Sequence, residues 1–238
     1  MENYLTALDV AKCLGVSLPE ADRILHRSSL KTTLVAGQKR YRRDELFQWL
    51  ESTLGSLTVE RLRNVDMSNA SNAGLDSSET YISDLLSGGR IHAMVPARTR
   101  SSLIRSLAEL AVETGLTYDE HLLVEQISDR EDVFSTALPN GVAFPHPKDM
   151  RSVYMEDNLI LLVRTASPIP FGAPAGRLTG LFFLLLLPSP SVHLHVLARL
   201  NRIVREQAVV DSLEQASDSI EMLETIRKAE VSLLPSGK

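Results

Sequence analysis

Two prolines bracket one histidine, Pro145-His146-Pro147, at the end of the stretch REDVFSTALPNGVAFPHPKD from Arg130 to Asp149. Proline holds φ near about −65° at 145 and 147 and biases Phe144 and His146 toward extended backbone, so a stiffened turn presents the imidazole. A neutral imidazole with a pKa of about 6.5 is a nucleophile at neutral pH, and its second nitrogen can be held by a backbone carbonyl. By itself a histidine between prolines is more often a structural turn residue, so any chemistry depends on its company. Two further histidines stand at 193 and 195. On a helix His193 shares a face with Leu197, Leu200 and Val204, and His195 shares one with Arg199 and Arg202; His193 is expected to point inward and His195 to solvent. A metal held by all three would require a distorted helix, and none is expected. Gly-x-Ser-x-Gly, His-Glu-x-x-His and Walker-type glycine loops are absent, which disfavours hydrolase chemistry.

The elements that must position these residues read as alternating helices and strands. ISDLL is a short helix and IHAMV a strand; Thr99–Thr114 is an amphipathic helix with Leu103, Ile104, Leu107, Leu110 and Ala111 on one face, and Thr117–Ser128 is another. Strands follow at 141–144, 159–165 and 178–187, then helices at 192–204, 207–216 and 219–228. This interleaving predicts an α/β layer fold with a largely buried sheet, and the unalternating run LFFLLLL predicts a central strand covered on both faces.

The chain has 238 residues, which suits two domains. With 44% hydrophobic and 23% charged residues it reads as an ordinary globular protein. Its longest apolar run, Leu181–Leu187, is short of the roughly 20 residues that cross a bilayer, and no signal-peptide pattern opens the chain, so a cytoplasmic location is expected. Cys13 is the single cysteine and excludes an intramolecular disulfide. The net charge of −5 conceals a local cluster, Lys39, Arg40, Arg42 and Arg43 around Tyr41. Residues 1–55 are near-neutral, and the acidic excess lies in the remainder. Residues 56–78, rich in Asn, Ser and Ala, read as a flexible linker between domains at 1–55 and 79–232.

In the first domain, Thr6–Leu14 ending at Gly15 predicts a helix. Ser17 with Glu20 predicts a capping box on a second, Leu30–Arg43 a hairpin around Ala36-Gly37-Gln38, and DELFQWLES from Asp44 a third helix. LTALDVAKCLGVS, PEADRILHRSS and VAGQKRYRRDELFQWLE resemble the excisionase and MerR-like winged helix-turn-helix domain over about the first 52 residues. That resemblance implies DNA binding, with Arg23, His26 and Arg27 toward the major groove and Lys39, Arg40 and Arg42 on phosphates. A basic hairpin on a protein-interaction domain stays open as the other reading.

Residues 79–232 resemble the phosphotransferase-system IIA domain of the fructose, mannitol and nitrogen-regulatory class. The matching residues are Arg130-Glu131, Ser135-Thr136, Asn140-Gly141, Val142-Ala143-Phe144 and Pro145-His146, with His193-Leu194-His195-Val196-Leu197-Ala198-Arg199-Leu200 after LFFLLLLP. The resemblance implies a mixed-sheet α/β/α domain and no cofactor. It implies that His146 accepts a phosphoryl group from a histidine phosphocarrier protein, that His193 helps hold the phosphate and that Arg130 supplies positive charge; Ser135 and Thr136 are candidate phosphate contacts. Ala137 and Pro139 stand where the family has glycines, and Pro147 replaces a glycine and removes an N–H. The expected function is a nitrogen-regulatory IIA-like phosphoacceptor that regulates through DNA binding, a pathway component rather than a free-standing enzyme. A sugar-uptake phosphocarrier and a non-phosphorylated binding domain are the alternatives, and both a monomer and a homodimer stay open.

Overall fold

The computed structural model describes residues 4–234. They form two compact units, one of residues up to Ser77 together with Ser189–Arg202, the other of Ser78–Pro188 together with residues from Ile203 on.

The first unit opens with β1 (Tyr4–Leu5), α1 (Ala7–Leu14) and α2 (Leu18–Arg27). It continues with the hairpin of β2 (Thr32–Val35) and β3 (Gln38–Arg42), then α3 (Arg43–Leu54) and α4 (Val59–Asn72). Thr6 caps α1 by accepting from Asp9 N at 3.1 Å while Asp9 Oδ2 accepts from Thr6 N at 2.8 Å, a capping box. The box expected at Ser17 does not form: no side-chain bond caps α2, and Glu20 instead pairs with Arg61 at 3.1 Å. The hairpin turns through Ala36 and Gly37, both at positive φ, and β3 pairs antiparallel with both β2 and β1.

The flexible linker predicted for residues 56–78 is not what the structure contains. Residues 59–72 are helical because Leu62, Val65, Asn69 and Ala70 recur at helical spacing and are buried, a stripe disguised by the Asn and Ser around it. The helix also completes α1: Ser68 Oγ donates to Lys12 O and Asn69 Nδ2 to Cys13 O, each at 2.6 Å, satisfying carbonyls that a helix end leaves unpaired. Gly15 is required at this contact, since it sits at φ +62 and a Cβ there would lie 2.5 Å from the Asn64 carbonyl oxygen.

The second unit contains α5 (Ile82–Leu85), β4 (Ile91–Val95), α6 (Arg100–Glu113), α7 (Glu120–Val133), β5 (Val142–Ala143), β6 (Leu159–Pro170) and β7 (Leu178–Leu186). The chain then supplies α8 (Pro190–Ile203), most of which belongs to the first unit, before α9 (Gln207–Gln215) and α10 (Ser219–Leu233). The sheet is mixed, in the order β4-β6-β7-β5, with β4 and β5 parallel to their neighbours and β6 antiparallel to β7. β7 is interior and buried on both faces, as LFFLLLL requires. Leu159, Leu161 and Val163 of β6 and Phe182, Leu184 and Leu186 of β7 pack with α6 and α7 through Leu103, Ile104, Leu107, Leu123 and Ile127. Among the described residues no helix is long and apolar enough to cross a membrane.

Buried carboxylates with defined tasks occur in both units. In the second, Glu230 of α10 accepts from the backbone N–H groups of Tyr81, Ile82 and Ser83 and from the Ser83 hydroxyl, each at 2.9 Å, at the start of α5. Burial works to raise its pKa, and these bonds outweigh burial, leaving it below the ordinary value. In the first unit, Asp66 of α4, 1% exposed, faces α8. Its Oδ1 lies 2.8 Å from His195 Nδ1 and 3.3 Å from Arg199 Nε, and its Oδ2 pairs with Arg202 Nη1. Here too burial favours the neutral acid, but the His195 hydrogen bond and the charges of Arg199, His195 and Arg202 prevail and lower the pKa. The expectation that His195 faces solvent is therefore wrong: His195 is fully buried, and Arg199 and Arg202 with it, because a charge on α4 receives that face of α8.

Two measurements check these carboxylates. Replacing Glu230 by Ala takes the acceptor from three N–H groups, two of them buried, and is expected to cost about 3 kcal/mol in urea unfolding. Because folding lowers its pKa, the wild-type stabilisation by Glu230 is complete above the ordinary value of 4.5 and drains as pH falls below it; the variant lacks that slope. Asp66→Ala strands two buried guanidinium groups and is expected to cost about 3 to 5 kcal/mol, read as lost hydrogen-exchange protection in α8.

Candidate functional site

His146 is fixed from two sides by the elements that flank it. The loop before it turns at Leu138–Gly141, where Pro139 presets the bend and Gly141 takes φ +87. β5 then joins the sheet beside β7, and Phe144 packs on Phe183 of β7 at 5.9 Å between ring centroids. Pro145 O accepts from Leu185 N of β7 at 2.9 Å, and Lys148 N donates to Gln126 O of α7 at 3.1 Å. The Pro-His-Pro turn is thus stitched to a strand at one end and a helix at the other. Four residues beyond Gln126, on the same face of α7, comes Arg130.

The imidazole is 3% exposed and both of its nitrogens have assigned partners. Nδ1 lies 2.8 Å from Phe144 O, and Nε2 accepts from Arg130 Nε at 3.1 Å. A carbonyl can only accept and a guanidinium can only donate, so the pair selects one neutral tautomer, with the proton on Nδ1 and the lone pair on Nε2. Arg130 is itself buried and donates Nη1 to Phe134 O at 2.8 Å, which aims the guanidinium at the ring. The arrangement offers a nucleophilic nitrogen with a fixed positive charge beside it, which is what transfer of an anionic group to nitrogen needs.

The other expected residues are placed differently. Ser135 Oγ donates to Phe171 O at 2.9 Å, and Gly172, at φ +100, allows this approach, since a Cβ there would lie 2.8 Å from Ser135 Cβ. The Thr136 hydroxyl bonds the Glu131 carboxylate, which also accepts from Thr136 N at 3.0 Å. Both hydroxyls hold the loop, and either would have to exchange a bond to meet a phosphate. Glu131 is a buried residue with a task that sequence reading left unassigned; an acid on the inward side of a helix is the signal that marks it. His193, near the start of α8, belongs to the other compact unit, where its Nε2 lies 3.3 Å from Glu51 Oε1 of α3.

Of the residues expected on DNA, Arg23, His26 and Arg27 are exposed on α2 and Lys39 is exposed on β3. Arg40 is half-buried and donates to Gln38 at 2.8 Å. Arg42 is less available than its sequence position suggests, because Asp44 pairs with it at 2.6 Å and Glu45 lies 3.6 Å away. Burial, and secondarily Asp9, pushes the Cys13 thiol up to about 11, so it is no nucleophile at neutral pH.

Residues 84–229 match the family model for the phosphoenolpyruvate-dependent sugar phosphotransferase system, EIIA 2. A nitrogen regulatory protein of Bradyrhizobium diazoefficiens is 34% identical over 131 residues, covering 53% of this chain and 84% of that protein. One from Klebsiella oxytoca is 27% identical over 159 residues, 65% of this chain and 94% of the relative. The crystal structure of nitrogen regulatory protein IIA-Ntr from Neisseria meningitidis superposes with a TM-score of 0.56 at 25% identity, covering 62% of this chain and 99% of that one. With a family match over more than half its length, the chain belongs to the EIIA 2 family of the phosphotransferase system.

Proposed function

We propose that this protein is a nitrogen-regulatory IIA-like phosphoacceptor, phosphorylated on His146 by a histidine phosphocarrier protein, in which the first unit carries the consequence to DNA. The observation that supports it most is the tautomer of His146. With Nδ1–H held by Phe144 O, only Nε2 has a lone pair to offer. In the transfer, Nε2 bonds to phosphorus as the donor's nitrogen–phosphorus bond breaks, while the Nδ1 proton stays where it is. Arg130 then passes its N–H from Nε2 to a phosphoryl oxygen, which neutralises the incoming charge without a large movement. His193 takes the role that its family motif implies, a hydrogen-bond donor to the phosphoryl group. Ser135 and Thr136 serve after Arg130, shaping the loop in which the group is received. The names of the two relatives described above favour a regulatory output over sugar uptake.

A IIA-like binding domain that is never phosphorylated is the second reading. It is favoured by the near-complete burial of His146 and by Pro147, which offers a phosphate no N–H. Incubation with phosphoenolpyruvate, enzyme I and a histidine phosphocarrier separates the two. Acid-labile phosphate is expected on the wild type and none on His146→Ala, with Arg130→Ala slower by about 100-fold. No label under conditions that charge a control IIA domain would leave only the second reading.

DNA binding by the first unit is supported by the order helix, glycine turn, helix, hairpin, helix, with cations on α2 and β3. Titration of a random-sequence duplex against salt tests it. Lys39→Ala is expected to reduce the salt slope by about 0.9, the share of one phosphate contact, whereas Arg42→Ala, already paired with Asp44, changes it less. An affinity independent of salt would rule out this role.

A further inference from the structure

The two partners of the His146 ring are joined to each other by a short stretch of chain. α7 ends at Val133, and Phe134 leaves it in extended backbone, at φ −165 and ψ 125. The segment runs on through Ser135 and Thr136 to Ala137, which bridges antiparallel to Ala143 of β5, next to the Phe144 whose carbonyl faces Nδ1. At its other end stands Arg130, whose Nε donates to Nε2. Glu131 closes this segment on itself. Its Oε2 accepts from Thr136 N at 3.0 Å and its Oε1 from the Thr136 hydroxyl, so one carboxylate, 3% exposed, reaches across five residues with both oxygens in use. Burying a charge is costly even when it is hydrogen-bonded, and an apolar residue would serve a plain connection from helix to strand.

We infer that Glu131 is a positioning residue for phosphoryl transfer to His146: by clamping Thr136 it fixes the Phe134 carbonyl, and through that carbonyl it aims the Arg130 guanidinium at Nε2. The inference rests on the phosphoacceptor reading of His146. The two sides of the ring are not held alike. Phe144 is anchored apart from this segment, through its packing on Phe183 and the pairing of β5 with β7. Phe134 is 61% exposed, so packing does little to place it, and its carbonyl meets Arg130 Nη1 at 2.8 Å where the clamp sets it. Ser135 Oγ braces the same segment on Phe171 O and accepts from Ala137 N at 3.2 Å. Without Glu131 that brace remains, but Thr136 is released, and Arg130 can turn from Nε2 while Nδ1–H keeps its bond to Phe144 O. Glu131 itself neither touches the phosphoryl group nor moves a proton.

The test is a cycle of variants in the full chain, each charged through enzyme I and the histidine phosphocarrier. Glu131→Ala removes both bonds; Glu131→Gln keeps them, since its carbonyl accepts from Thr136 N and its amide donates to the hydroxyl, which also accepts. At saturating phosphocarrier, Glu131→Ala is expected to take up phosphate about tenfold more slowly than wild type, within the roughly 100-fold that a misplacement of about 1 Å costs, and Glu131→Gln to stay within about twofold of wild type. The half-saturating concentration of phosphocarrier is expected to be the same for all three. Placed in Arg130→Ala, Glu131→Ala is expected to slow uptake no further, because its effect passes through that arginine. In unphosphorylated protein, the Nε–H resonance of Arg130 is expected to lose its protection from solvent exchange in Glu131→Ala. The Nδ1–H resonance of His146 persists there, which also shows that the variant is folded. An unchanged rate in Glu131→Ala, a Glu131→Gln as slow as the alanine variant, or a slowing that multiplies with that of Arg130→Ala overturns the inference and leaves the phosphoacceptor reading intact. Loss of both resonances together also overturns it, as the mark of a residue that only keeps the fold. Absence of label from every form, while a control IIA domain is charged, overturns the inference together with that reading.

Discussion

The carbonyl oxygen of Phe144 decides what His146 can do. By accepting a hydrogen bond from Nδ1–H it leaves Nε2 as the one reactive nitrogen, and much of the second unit keeps that oxygen where it is. Phe144 is packed on Phe183, β5 lies along β7, and the prolines at 145 and 147 leave the turn between strand and helix little freedom. Arg130 completes the pair from α7, whose Gln126 also holds the far end of the turn. The histidine is thus positioned by backbone contacts on both sides and by one charge, an arrangement already organised before any ligand arrives.

A second buried charge organises the first unit. Asp66 gathers three side chains of α8, a helix whose sequence lies within the family-matched span, yet whose residues group with the N-terminal segment. An acid so placed is costly to bury alone and strongly held once paired, which makes it a device for fixing one arrangement rather than a large source of net stability. Glu51 makes the lighter contact on the same helix. The first unit therefore holds α8 at two points, Asp66 on one face and Glu51 on another.

The sequence made the second unit legible because its signals are local. The unalternating LFFLLLL could only be an interior strand, and the spacing of Leu103, Ile104 and Leu107 could only be a helix on a sheet. His146 stood out through its prolines together with the residues around them, whereas its tautomer depends on the contacts to Phe144 O and Arg130 that only the structure shows. What stayed hidden was long-range. Asp66 looked like one more polar residue in a Ser- and Asn-rich linker, and His195 looked solvent-facing, because each meets its partner only across a long stretch of chain. An acid at helical spacing from Leu62, Asn69 and Ala70 was the available sign. Glu51 offered less, since nothing in DELFQWLES distinguishes an acid that meets a histidine from one that meets water.

The central claim is that His146 is poised for substitution at one nitrogen. The direct measurement is the nitrogen-15 and phosphorus-31 spectrum of the phosphorylated, isotope-labelled chain. Phosphorus is predicted to couple to Nε2 of His146, with Nδ1 still protonated against Phe144 O. Phosphorus bonded to Nδ1 of His146, or to any other residue, would contradict the account.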